Sequence, residues 1–223
     1  VRQNTILTTI FFGILVGDYA LSGTLSAVIM LPGILVSLWG LNLARRVGMK
    51  KVMVWSSWCG IIGCFMMLAW VLMVDMTQLS LTNIGFVTIS YFIIQIVYQA
   101  LGGISTNIVI PMIADCTDYE TYKTGKYVPG MMGTLFSFVD KLISSLATSV
   151  VSLAVAAIGY TTTLPQIGEA VTPQLLWIYI FLAIGLPLFG LICNVVAMKF
   201  YPLDKEKMEE IQTAIADIKK AAN

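Results

Sequence analysis

Five runs of this chain are each apolar for more than the about 20 residues that a helix needs to cross a bilayer: Leu21–Leu43, Val52–Val74, Asn83–Met112, Pro129–Ile158 and Gln174–Phe200. No water reaches the hydrocarbon to satisfy backbone N–H and C=O groups, so runs of this length must be helices that bond internally. The whole chain agrees with them: 58% of its 223 residues are hydrophobic and 11% charged, against about 25% charged in an ordinary soluble domain. An all-α integral membrane protein is expected. The run over residues 5–16 is too short to span. Arg2, Gln3 and Asn4 precede it and no initiating Met is present, so it is expected to be the later part of a helix that begins before Val1.

The placement of charge orients the spans. Of the 13 Lys and Arg, all but Arg2 and Lys141 fall after the first, third and fifth spans: Arg45, Arg46, Lys50, Lys51, Lys123, Lys126, Lys199, Lys205, Lys207, Lys219 and Lys220. The opposite links, around Asp18, Asp75–Thr82 and Tyr160–Pro173, carry none. By the positive-inside rule the basic links and the C-terminus face the cytoplasm, in a multi-pass protein of the plasma membrane. Beyond Pro202 the character changes. Leu203-Asp204 offers a hydrophobic staple and an N-cap, and Met208, Ile211, Ile215 and Ile218 form a narrow apolar stripe. Residues 202–223 are therefore expected to be an amphipathic cytoplasmic tail helix, in solution or on the membrane surface, separate from a bundle over residues 1–201.

Within the spans, polar residues recur at helical spacing. Ser22, Ser26, Gly33, Ser37 and Gly40 put small residues on one face of the first, which suits close helix packing. Ser56, Gly60 and Cys64 do the same in the second. In the third, Tyr91, Gln95, Tyr98, Gly102 and Ser105/Thr106 share a face, which is either an interhelical hydrogen-bond seam or the wall of a water-filled path. A short polar loop with Asp115, Asp118, Glu120, Lys123 and Lys126 leads to the fourth span, where Thr134, Ser137, Lys141, Ser144/Ser145 and Thr148 repeat the pattern. Lys141 lies about 18 Å into that span with Asp140 beside it, and charges so placed cost on the order of 2.5–3.5 kcal/mol each unless they face a cavity or a partner. This segment is expected to be the functional centre, either facing a cavity or holding a structural ion pair. In the fifth span Pro187, with Gly190 and Asn194, is expected to kink the helix.

The same inventory excludes several chemistries. The absence of His removes imidazole acid–base work and His-ligated metals. Cys59, Cys64, Cys116 and Cys193 show no ligand spacing, and they read as small packing residues. No pairing of nucleophile with base and no phosphate-binding loop is present, so an enzyme is not expected, nor is a cofactor or a nucleic-acid partner. The acids Asp115, Asp118 and Glu120 could hold a divalent ion, but the neighbouring lysines favour salt bridging, and no metal site is expected.

The basic turn Leu43-Ala-Arg-Arg-Val-Gly-Met-Lys-Lys51 resembles the inter-helix turn of major facilitator transporters. Ala114-Asp-Cys-Thr-Asp-Tyr-Glu-Thr-Tyr-Lys-Thr-Gly125, with Thr134-Leu-Phe-Ser-Phe-Val-Asp-Lys141 after it, is similar to the glycoside–pentoside–hexuronide:cation symporters. The resemblance runs over nearly the whole chain. It implies the six-helix C-terminal half of a major facilitator fold, its first helix truncated, working against an N-terminal six-helix half. It also implies a sugar or glycoside as cargo, a monovalent cation (Na⁺ or H⁺) as coupling ion with its main acids in the other half, and the lipid bilayer as surroundings. Lys141 matches a lysine near the family's sugar and cation sites, and Asp115 and Asp118 match acids of a cytoplasmic salt-bridge gate, with Lys123 and Lys126 alongside. Thr106 falls where a family member has a Trp bordering the sugar, and Ser137 at a Thr near the site. Tyr127 and Pro129 replace an Arg and a Glu frequent in that loop. The expected substrate-binding set is Gln95, Tyr98, Thr106, Ser137, Asp140 and Lys141. A carrier of non-sugar cargo and a non-transporting scaffold or sensor remain the alternatives.

Overall fold

The computed structural model describes residues 4–80, 85–161 and 163–221, with the backbone alone over 217–221. Arg2, Asn83 and the side chains of Ile218, Lys219 and Lys220, all used in the sequence reading, lie outside what is described. The described residues are helical with no strand among them. Five helices are long and apolar enough to cross a membrane: α2 (Leu21–Val47), α3 (Met49–Met73), α4 (Phe86–Thr124), α5 (Pro129–Ala157) and α6 (Pro173–Phe200). A shorter apolar helix, α1 (Thr5–Val16), precedes them, and α7 (Lys205–Ala221) follows.

Small residues decide how closely the helices approach. Gly33, Ser37 and Gly40 are buried along α2 where it crosses α4. A Cβ on Gly40 would stand 2.4 Å from Ile104 Cγ1, and one on Gly103 would stand 3.1 Å from Ser37 Cβ, so side chains at these positions would force the two backbones apart. α3 joins α4 through hydroxyls, with Ser56 and Ser105 3.0 Å apart and Trp70 Nε1 donating to Ser90 at 2.9 Å. It joins α6 through Asn194, which donates to Ser57 at 2.8 Å, and through Leu191 packed on Gly60. The small faces read from α2 and α3 are these seams from Gly33 to Gly40 and from Ser56 to Gly60, whereas Ser26, counted in the α2 face, is exposed and packs in neither. α1 fills the centre, with Ile10 through Val16 all buried.

Two departures from regular geometry have local causes. Gly48 alone separates α2 from α3, at φ +108°, in the left-handed region that favours glycine. Its N–H bonds Ala44 C=O at 2.9 Å. In α6 the turn over Phe181–Gly185 widens to a π-helix immediately before Pro187. Proline has no N–H for the Ala183 carbonyl and its ring crowds that turn, so the helix takes up the extra residue there.

Two expectations are corrected. The acidic segment after Met112 is not a loop: α4, 39 residues long in all, continues through it to Thr124. At 1.5 Å per residue that is about 58 Å, roughly twice the hydrocarbon thickness, so the charged end projects from the bilayer as helix. Gly125, at φ +73°, ends it. The tail helix is also not left to solvent or lipid. Its stripe of Met208 and Ile211, with Leu203, packs onto Cys116, Tyr119 and Tyr201 at that projecting end of α4. Asp204 accepts the Lys207 N–H at 3.0 Å as the expected N-cap. Lys205 Nζ donates to Arg46 C=O at 3.1 Å, and Lys50 donates to Tyr201 C=O, so the basic turn and the tail are tied together.

Candidate functional site

A cavity of about 560 Å³ opens between α1, α2, α4 and α6, within the range of about 300–1,000 Å³ usual for small-molecule sites. Gln95, which lines it, is nine residues, or about 14 Å, along α4 from Phe86, about half of the hydrocarbon thickness. One wall is aromatic. Phe11 is sandwiched between Tyr91 (centroids 5.6 Å apart, rings at 17°) and Tyr179 (5.1 Å, 19°), and Trp70 tilts onto Tyr91 at 5.2 Å. Ring contacts from four helices (α1, α3, α4 and α6) fix these rings. The polar wall comes from successive turns of α4: Tyr91, Gln95, Tyr98 and Gln99, with Thr8 and Ser26 across from them. Gln95 Nε2 donates to the Tyr91 hydroxyl at 2.8 Å, and the Cys64 thiol donates to the Tyr98 hydroxyl at 3.4 Å. The α4 stripe therefore divides: its outer part lines the cavity, while Ser105 is in the seam with Ser56 and Thr106 is exposed, its hydroxyl donating to Gly102 C=O.

Of the six expected substrate-binding residues, Gln95 and Tyr98 line this cavity. Ser137, Asp140 and Lys141 are exposed on α5, which contributes no lining residue and buries only Val151 and Val155. Lys141 forms no ion pair with Asp140 or with any other described residue. The lysine and its hydroxyl stripe are thus not packed against any described helix. Phe11, Gln99, Ser26, Thr8 and Tyr179 belong to the cavity but were not singled out as binding residues. Gln99 follows Gln95 by one helical turn, which is a usable signal. Ser26 was absorbed into a packing face, and nothing distinguishes Tyr179 from any other aromatic in an apolar span.

At the projecting end of α4, Asp115 and Asp118 are half-buried, whereas Lys123 and Lys126 are exposed. None of the four forms a salt bridge with a described residue. The ion pairs found there, Lys205–Glu209 (3.7 Å) and Lys207–Glu210 (2.8 Å), are exposed and lie within α7, where such pairs contribute little. Burial, then the Cys116 thiol and the Asp115 carboxylate nearby, push the Tyr201 hydroxyl above its usual range. Among the described residues no group of three His, Cys, Asp or Glu side chains could hold a metal ion. On the opposite side, the link before α6 is closed by Glu169. It accepts the Tyr160 hydroxyl at 2.5 Å and the Gln166 N–H at 2.8 Å, and the Gly168 N–H reaches Gly13 C=O at 3.1 Å. That hydrogen bond, with Glu169's charge behind it, raises the Tyr160 hydroxyl.

Comparison with known proteins agrees with this architecture. The pattern of the MFS/sugar transport protein family matches residues 4–205. The glucuronide carrier protein homolog of Escherichia coli (strain K12) is 25% identical over 213 residues, covering 94% of this chain and 40% of the relative. The chain thus spans well under half the length of that curated relative. No solved structure matches.

Proposed function

This chain belongs to the MFS/sugar transport protein family, and from that premise we propose that it is the C-terminal half of a secondary carrier. The carrier moves a sugar or glycoside across the plasma membrane, driven by a gradient of Na⁺ or H⁺. A second six-helix half completes it, and the two rock about a site near the mid-membrane in alternating access, the C-terminus facing the cytoplasm. The main cation-binding acids belong to the other half.

The observation that carries the reading is the cavity: two amides one turn apart, hydroxyls opposite them and a fixed aromatic wall. A sugar presents hydroxyls that donate and accept at its rim and C–H groups on its face, which is the complement of that lining. Lys141 has the second role. A mid-span ammonium with no partner among the described residues needs one elsewhere, and we assign that partner to an acid of the other half or to a substrate oxygen. Exchange between them couples occupancy to closure, while Asp115 and Asp118, beside Lys123 and Lys126, offer charge for the cytoplasmic contact between halves.

The test is uptake of labelled glycosides by cells expressing the protein that carries this chain, with and without a Na⁺ gradient and with and without an uncoupler. Accumulation that collapses with one gradient is expected, and it identifies the coupling ion. No uptake across a broad panel, with the protein present in the membrane, overturns the sugar-carrier reading in favour of another cargo or a scaffold role.

A further inference from the structure

We infer that the turn Gln166–Glu169, which lines no part of the cavity, positions the cavity's aromatic wall: seated on Gly13, it holds the wide turns of α1 that set Phe11 between Tyr91 and Tyr179. This rests on the sugar-carrier reading above. Residues Thr9–Val16 of α1 wind as a π-helix for eight residues. Such winding is rare and is held mostly for a single turn, because the chain can retighten to α-geometry, with bonds closing at i+4 in place of i+5. Retightening would turn Phe11 away from its partners. The wall leaves it no second place: Phe11 is 3% exposed, stacked on two rings from other helices, and Phe12 stands edge-on to it at 4.8 Å. A run of this length therefore needs a hold from outside the helix.

The turn supplies one. Gly13 lies in the last turn of α1, where carbonyls run out of N–H partners within the helix. The Gly168 N–H donates to the Gly13 C=O at 3.1 Å. Two glycines make this approach possible. A Cβ on Gly13 would stand 3.1 Å from Ile167 Cγ1, and Gly168 sits at φ +86°, in the left-handed region that favours glycine. The turn is stiffened from within as well. The Glu169 N–H donates to Gln166 C=O at 3.3 Å, and the Glu169 carboxylate accepts the Gln166 N–H at 2.8 Å and the Tyr160 hydroxyl at 2.5 Å. Gly13, Gly168 and Glu169 are thus positioning residues, and their effect on a bound sugar passes through the Phe11 ring.

The experiment measures KM and maximal rate for an accepted labelled glycoside, per molecule at the cell surface, in cells expressing the protein that carries this chain. Gly13→Ala is expected to raise KM about fivefold or more with the maximal rate within about twofold. Ile167→Ala in the same chain removes the atom that the new Cβ meets, and should bring KM back to within about twofold of the unaltered protein. Glu169→Ala adds no atom to the bundle and loosens the turn. It should raise KM about threefold or more at unchanged surface level, and it decides the question if Gly13→Ala does not reach the membrane. Phe11→Leu separates positioning from a merely structural role: in that background both changes should lose most of their effect on KM, because the ring they position is gone. Three results overturn the inference and leave the sugar-carrier reading standing: an unchanged KM in either variant at the surface, a Gly13→Ala rise that Ile167→Ala does not relieve, or an equal rise with and without the Phe11 ring. No uptake of any glycoside by the unaltered protein overturns both.

Discussion

Gly40 shows at single-residue scale how tightly this bundle closes. Ile104, 1% exposed, occupies the space a side chain would need, and its Cγ1 and Cδ1 are 2.4 and 2.6 Å from where a Cβ would be. Gly40→Ala is therefore expected to destabilise the bundle by about 1–3 kcal/mol through overpacking, read as a lowered Tm in detergent. Ile104→Val in the same chain should recover part of the loss, since neighbouring sites couple. An additive double mutant would show that the two positions do not touch. A second residue-scale prediction concerns Tyr160. Its folded-state pKa is raised by Glu169, so the stabilisation of the link is fully present below the unfolded value of about 10 and is lost as pH rises through the folded value. Protease resistance of the 160–173 link should hold through neutral pH and fall at strongly alkaline pH. Tyr160→Phe should remove that pH dependence; persistence of the dependence would assign it to another group. Both arguments use chemistry legible in the sequence, a glycine at helical spacing and a Tyr and a Glu in one link, but the partner became visible only in three dimensions.

At the scale of elements, α4 and α7 act as one unit. The apolar stripe of the tail was readable from its period, as were its cap and staple. Its destination was not, because an amphipathic helix carries no record of what covers it. Ile211 is fully buried against α4. Ile211→Ala should weaken docking by about 2–5 kcal/mol and raise tryptic cleavage at Lys205 and Lys207 roughly tenfold or more, with the membrane helices intact. Unchanged cleavage would mean that the tail is held by its polar ties to Arg46 and Lys50 alone. The extent of α4 was misread for a related reason. Acids and lysines after Met112 resemble a loop in a membrane sequence, yet nothing in that stretch breaks a helix before Gly125.

Across the whole molecule, α5 is the exception. Most of its apolar residues are exposed, with only Val151 and Val155 buried, and Asp140 and Lys141 are exposed as well, so its fold within this chain does not depend on the lysine. Lys141→Ala should leave thermal stability within about 0.5 kcal/mol, as for other exposed substitutions, and should abolish gradient-driven accumulation at unchanged membrane level. Full accumulation by this variant would end the proposed role of Lys141 in coupling. Loss of stability without loss of transport would make it structural instead.

By itself, the sequence determined the number and order of the spanning helices and which surfaces could approach closely. Those follow from local facts: hydrophobic length against bilayer thickness, and the periodicity of small residues. The shared polar face of Gln95 and Tyr98 on α4 was likewise legible from its spacing. Only the tertiary structure decided which face met a cavity, that Phe11 and Tyr179 complete it from distant helices, and that Lys141 stays outside it. A polar stripe has the same period whether it lines a seam or a cavity, and the difference between them is which other helix packs opposite.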